Sequence, residues 1–309
     1  MILARSLAAL LAAALLVGCG EGEPQSEAPV GEPEKAERLS VYVVNYPLQY
    51  FAKRIGGEIV TVVFPAPADE DPAYWSPDPD VIAAYQGADL ILLNGAGYAA
   101  WVRRASLPDA RLVDTSAGFR DQLIPLEAGV THSHGPQGAH THTGKAFTTW
   151  LDPGLATLQA QAVRDAFVKE RPDREEEFQQ GFEALEADLL ELDHRLTAAA
   201  EAIGDAPLLF SHPVYQYLIR RYELNARSVH WEPDEPPKEA MWRELEELVA
   251  DYPAKWMVWE GEPADATVKR LEEMGLGSIV YTPCGSTPDK GDFLSVMREN
   301  VAGLDRDLR

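Results

Sequence analysis

Short, wholly apolar runs alternate with amphipathic stretches along most of the chain. "LSVYVV" leads into "NYPLQYFAKRIGG", which reads as a strand, a loop around Pro47 and a helix. "EIVTVVF" supplies a second strand. "DPDVIAAYQGADLILLNG" reads as a helix running through Gly87 into a third strand, and "DARLVDTS" gives a fourth. These runs do not alternate apolar with polar. Strands of that kind are covered on both faces, as in a parallel sheet flanked by helices. Residues 39–150 are therefore expected to form an N-terminal α/β lobe.

From Pro153 the period changes to that of a helix. Phe178, Phe182, Leu185, Leu189, Leu192 and Leu196 recur three and four apart, broken upstream at Arg171-Pro172-Asp173. A helix of about 30 residues would be roughly 45 Å long, so residues 151–204 read as connecting helices. The strand–helix alternation then resumes through "APLLFSHPVYQYLIRRYEL", "ARSVHWEP", "AKWMVWEGEP" and "GSIVYTPCGS", closing on "GDFLSVMRENVAGLDRDL". Residues 205–309 form a second α/β lobe. The fold class expected is thus α/β: two parallel-sheet lobes joined by a long helix, with a cleft between them.

The N-terminus departs from this pattern. An apolar run from Leu7 to Val17 follows a single Arg and is too short to remain as a membrane span. It reads as a secretory signal, residues 1–18. Leu16-Val17-Gly18-Cys19 resembles a bacterial lipobox, whose Cys carries lipid in the mature chain. The Gly/Pro/Glu-rich stretch over 19–38 has little to bury and reads as a tether. The chain is therefore expected outside the cytoplasm, periplasmic or extracytoplasmic, anchored to a bacterial membrane.

The chain holds two cysteines, so lipidation of Cys19 leaves Cys284 alone. That excludes an internal disulfide and any metal site needing two thiolates. Cys284 reads as a packed side chain. With 50 acidic residues against 27 basic and a net charge of −23, nucleic acid is not a partner. A monomer is expected.

Four of the seven histidines lie in "THSHGPQGAHTHTG", residues 131–144. They form two His-x-His pairs, His132/His134 and His140/His142. Such a loop gathers metal. Elsewhere, His212 follows an apolar strand. His230 and Glu232 stand two apart after another, a spacing that puts both on one face. Glu260 ends a third. Ligands collect at the carboxyl ends of parallel strands, which makes these four residues candidate cleft neighbours. His194, beside Asp193 and Arg195, reads as a solvated helix residue, and Tyr74, Trp75 and Trp231 read as packing residues.

Five segments in one order carry a resemblance: "GADLILLNGAGYAAWV", "TTWLDP", "LFSHPVYQYLIRRYEL", "VWEGEP" and "FLSVMRENVAGL". Together they are similar to the zinc- and manganese-type solute-binding proteins of ATP-binding cassette importers. The resemblance implies two lobes, a rigid connecting helix, one metal ion in the cleft and a cognate permease as partner. It also implies ligand positions, and here the chain departs. Ala73 in "DPAYWSP" and Thr148 stand where the family places first-lobe histidines, and Thr282 and Pro283 stand where manganese-type members place an Asp. His212 alone survives.

Replacement ligands are therefore expected from His132, His134, His140 and His142 and from His230, Glu232 and Glu260. The loop either collects metal weakly or enters the cleft. Imidazole favours zinc over manganese; nickel and copper share zinc's preference, and all three alternatives stay open. The chain shows no His-Glu-x-x-His, Gly-x-Ser-x-Gly or phosphate-cradling motif, so it is not read as an enzyme. The competing reading is a same-fold binding protein or adhesin that has lost the metal site.

The lipobox makes one direct prediction. Changing Cys19 to Ala should leave unprocessed precursor with no incorporated lipid, and radiolabelled fatty acid checks it. A variant that still takes up label has its anchor elsewhere.

Overall fold

The computed structural model describes residues 38–126, 131–133, 139–141 and 144–308. The first sheet is built from β1 (Leu39–Val43), β2 (Val60–Val63), β3 (Leu90–Leu93) and β4 (Leu112–Asp114). Its order is β2-β1-β3-β4, with all pairs parallel. Helices α1 (Tyr46–Gly56) and α2 (Pro79–Gly87) provide its crossovers. Each begins where a side chain satisfies the first turn. The side chain of Asn45 accepts from the Leu48 amide, and that of Asp78 from the Val81 amide. Pro47 and Pro79 follow, where the absent amide costs no hydrogen bond.

Beyond β4 come four short strands: β5 (Pro125–Leu126), β6 (Thr131–Ser133), β7 (Ala139–Thr141) and β8 (Gly144–Lys145). The backbones of β6 and β7 pair antiparallel with His132 opposite His140, and β5 pairs with β8.

The connecting region consists of α3 (Pro153–Glu170) and α4 (Glu175–Ile203), broken at the expected place by a single turn over Pro172–Arg174. Asp152 caps α3, its carboxylate accepting from the Gly154 and Leu155 amides. That accounts for the Asp-Pro of "TTWLDP". The helix α4 runs for 29 residues, and Phe178, Phe182, Leu185, Leu189, Leu192 and Leu196 are all buried along it. The second sheet comprises β9 (Leu208–Phe210), β10 (Ala226–Ser228), β11 (Trp256–Trp259) and β12 (Gly277–Val280). Its order, β10-β9-β11-β12, repeats that of the first sheet, again wholly parallel. Helices α5 (Gln216–Arg221), α6 (Glu239–Asp251), α7 (Asp265–Glu273) and α8 (Phe293–Asp307) complete it. Among the described residues no helix is long and apolar enough to cross a membrane.

A single apolar core runs beneath both sheets and includes residues of α1, α3, α4 and α8. On the second sheet, Leu208, Phe210 and Val258 face this core. Leu209, Met257 and Trp259 face a smaller cluster with Trp231 and Trp242 on the opposite side. Strands β9 and β11 are thus covered on both faces, which is why their sequences do not alternate.

Two features tie the connecting helices to the lobes. At Gly181, α4 meets the backbone of α1 so closely that a Cβ would lie 2.6 Å from the Ile55 carbonyl oxygen. At Asp193, the Arg221 guanidinium donates two hydrogen bonds of 2.7 and 2.6 Å, and the Tyr222 hydroxyl donates a third of 2.7 Å. Arg221 also lies 3.3 Å from Asp152. This clasp joins α4, α5 and the start of α3. Burial pushes the Asp193 carboxyl up, but the bonds from Arg221 and Tyr222 outweigh it and hold the group below its usual range.

Gly181→Ala should destabilise the protein by about 1–3 kcal/mol through overpacking, against the roughly 1 kcal/mol gain ordinarily seen for Gly→Ala in a helix. Urea unfolding gives the sign. Asp193 carries a pH signature. Its folded pKa is depressed, so its contribution is full above the unfolded carboxyl pKa of about 3.9 and is lost as pH falls through the folded value. Asp193→Asn should cost about 1–2 kcal/mol at neutral pH, a difference that shrinks below about pH 4 in parallel unfolding curves.

Candidate metal centre

Three adjacent strands of the second sheet, β10, β9 and β11, end towards the cleft. His212 lies two residues beyond β9 and is 1% exposed. The Trp231 amide donates to the Ser211 carbonyl at 2.7 Å, which draws the segment after β10 alongside the segment after β9. Trp231 is buried against Trp242 and Trp259 on the far side of the sheet. Its two neighbours, His230 and Glu232, consequently turn to the cleft. Glu260 directly follows β11.

His212, Glu232 and Glu260 each offer a donor atom, and these three atoms lie within 4.8 Å of one another. His212 Nδ1 is 3.5 Å from Glu232 Oε1 and 3.9 Å from Glu260 Oε1. Zinc bonds of about 2.0–2.2 Å place tetrahedral donors about 3.3–3.6 Å apart. The trio therefore stands close to a ligating arrangement with little movement needed. The His230 ring lies beside them, its centroid 5.9 Å from that of His212 and perpendicular to it. Burial lowers the His230 pKa, partly offset by Glu232; it holds the ring in the neutral form that ligates metal. His194 is on the exposed face of α4.

These groups face a cavity of about 870 Å³ between the two lobes. Thr282, Pro283 and Cys284 line it without offering a carboxylate. The Thr282 amide donates to Asn300, and the Pro283 carbonyl accepts from the Trp150 indole at 2.7 Å. Burial, reinforced by Asp292, pushes the Cys284 thiol up to about 12, so it stays protonated and packed.

The first-lobe wall differs from what the sequence suggested. Ala73 is buried and does not line the cavity, whereas Tyr74 does. Its sequence context reads as packing, and Tyr74 does contact Phe147 edge-on at 6.3 Å. Its phenol also lies near enough to Glu232 and Glu260 to feel their charge. Burial pushes its phenol up, and Asp71, Glu260 and Glu232 push it further in the same direction. Asp69, Glu70 and Asp71 line the cavity with it. The signal lies in the turn: the Ala73 amide donates to the Asp71 carboxylate at 2.9 Å, which sends Ala73 inward and leaves Tyr74 at the cleft. Trp75, as expected, is buried against Trp101.

Thr148 also lines the cavity, and its hydroxyl donates to the Val214 carbonyl across the lobes. A buried network fixes the loop that carries it. Asn94 donates to the Phe147 carbonyl at 2.8 Å and accepts from Asn45 at 3.1 Å. Gly95, at φ +75°, is required because a Cβ there would meet Ser116. This gives the Asn-Gly of "LILLNG" its purpose. The loop histidines stand apart from this description. His134 and His142 lie outside the described residues, as do the side chains of His132 and His140. The loop's two ends, Leu126 and Ala146, do line the cavity.

Two α/β lobes on a shared core, with a donor cluster in the cleft, define a binding protein for a small cation. The chain belongs to the family described as zinc-uptake complex component A, periplasmic, whose model matches residues 41–306. It is a solute-binding transport component and not an enzyme. The high-affinity zinc uptake system protein ZnuA of Bacillus subtilis is 25% identical over 305 residues, covering 94% of this chain and 92% of that one. The metal-dependent lipoprotein YcdH of Bacillus subtilis shares the fold at a TM-score of 0.74 and 22% identity, covering 87% of this chain and 98% of its own. Zn(II)-bound AdcA of Streptococcus pneumoniae matches at a TM-score of 0.74 and 22% identity over 87% of this chain; the match spans 57% of AdcA.

Proposed function

We propose that this protein captures a divalent transition metal, zinc foremost, between its lobes and delivers it to the permease of an ATP-binding cassette importer. The observation that carries this reading is the convergence of His212, Glu232 and Glu260 on three adjacent strand ends. One imidazole and two carboxylates supply three ligands, and His230 stands beside them in its neutral form. Zinc takes nitrogen and carboxylate oxygen together. Two carboxylates against a dication also leave the centre uncharged overall, which lowers the cost of burying the ion.

On this reading the chain divides into a signal over residues 1–18, a tether over 19–38 lipidated at Cys19, a lobe over 39–150, connecting helices over 151–204 and a second lobe over 205–309. The protein is a lipid-anchored, extracytoplasmic monomer. At least one of His132, His134, His140 and His142 completes the centre, because the first lobe brings no other imidazole to the cleft and the loop's ends stand at the cavity wall.

Two variants test this. His212→Ala should weaken zinc binding by at least the roughly 10–100-fold typical of losing even an outer partner; calorimetric titration with zinc is the measurement, and wild-type affinity would place the site elsewhere. Deleting residues 131–143 separates collector from ligand. Bound zinc stabilises the native state by about 2.7 kcal/mol at a hundredfold excess over Kd. The full chain should show that shift in its melting temperature and the deletion should not. A deletion that retains the whole shift makes the loop a collector only.

A further inference from the structure

The three donors of the cluster all belong to the second lobe, so they leave open what the first lobe does when metal arrives. Among the first-lobe side chains that share the cavity with His212, Glu232 and Glu260, Tyr74 carries a phenol close enough to both glutamates to feel their charge. Its position is set by two independent restraints. The Asp71 turn holds its backbone, with the Tyr74 amide donating to the Asp71 carbonyl at 3.0 Å. Its ring meets Phe147 edge-on, Phe147 meets Tyr98 edge-on at 5.2 Å, and Tyr98 meets Trp150 edge-on at 5.9 Å. Trp150 is bonded to the Pro283 carbonyl of the second lobe. The phenol therefore sits on a braced aromatic wall rather than on a free loop. It faces carboxylates that are only 16% and 21% exposed.

We propose that Tyr74 is the first-lobe positioning residue of the metal centre: its phenol donates a hydrogen bond to a carboxylate oxygen of the Glu232–Glu260 pair. This rests on the metal centre described above and deepens it. A carboxylate with one oxygen held by a donor has fewer rotamers to lose on ligation, and the ligating oxygen is aimed. The same bond makes capture sensitive to the first lobe's approach, so the residue at the cleft governs how fast metal leaves as well as how tightly it is held.

Tyr74→Phe removes the hydroxyl and keeps the ring against Phe147. Zinc affinity by competition with a fluorescent chelator should fall about tenfold, the low end for an outer partner, and zinc should dissociate faster, while the far-UV circular dichroism of the metal-free protein stays that of the wild type. Combined with Glu232→Gln or Glu260→Gln, the loss should be non-additive for one of the two, since residues in one hydrogen-bonded unit couple. Wild-type affinity and dissociation rate in Tyr74→Phe, or full additivity with both glutamates, overturns the proposal. If each single Glu→Gln variant itself binds zinc as tightly as wild type, the metal centre fails and Tyr74 falls with it. If the glutamate variants lose affinity and Tyr74→Phe does not, the centre stands and only the role of Tyr74 is lost.

Discussion

Glu232 and Glu260 are held beside one buried imidazole, with their donor atoms inside a 4.8 Å group. Acidic groups gathered in a largely covered cleft attract positive charge. The fold maintains this arrangement through the strand ends and the Trp231 anchor. On the proposed reading, a dication joins the two carboxylates and the imidazole and leaves no net charge to bury. The acidic residues at the cavity's first-lobe side, Asp69, Glu70 and Asp71, add to the same field and favour the approach of cations.

The rest of the molecule keeps this arrangement from relaxing. One apolar core passes under both sheets. The lobes are pinned across the cleft by Trp150 to Pro283, Thr148 to Val214, and the Tyr46 amide to the Gly285 carbonyl at 3.0 Å. The clasp at Asp193 and the close approach at Gly181 fix the connecting helices to each lobe. A frame braced in this way spends little ordering entropy when the ion binds. It also limits how the site can be completed: a group from the first lobe must already stand near the cleft, as Tyr74 does, or must come from the loop between β5 and β8.

Much of this was legible in the chain. The unalternating apolar runs gave two parallel sheets, and the three-four spacing from Phe178 to Leu196 gave α4 with its break at Pro172. The turn residues Asn45, Asp78 and Asp152 marked helix starts. His212, His230, Glu232 and Glu260 could be singled out because each stands just beyond the end of a strand, and in a parallel sheet all strand ends of one sense lie on one edge. Periodicity is a local property, so the chain carries it openly.

What the chain did not reveal was the direction of individual side chains where no element imposes a period. Ala73 and Tyr74 are adjacent in an irregular turn. The turn at Asp71, to which the Ala73 and Tyr74 amides donate, and the packing of Tyr74 on Phe147 send the alanine inward and the tyrosine to the cleft. The separation of His230 from the ligand trio, and the short distances within that trio, likewise depend on how far β10 and β11 run before they end. The sequence determined the lobes, the helices and the pool of candidate donors, since these follow from patterns along the chain. The tertiary structure decided which donors meet and what faces them, because that is a matter of distances between segments that share no local pattern.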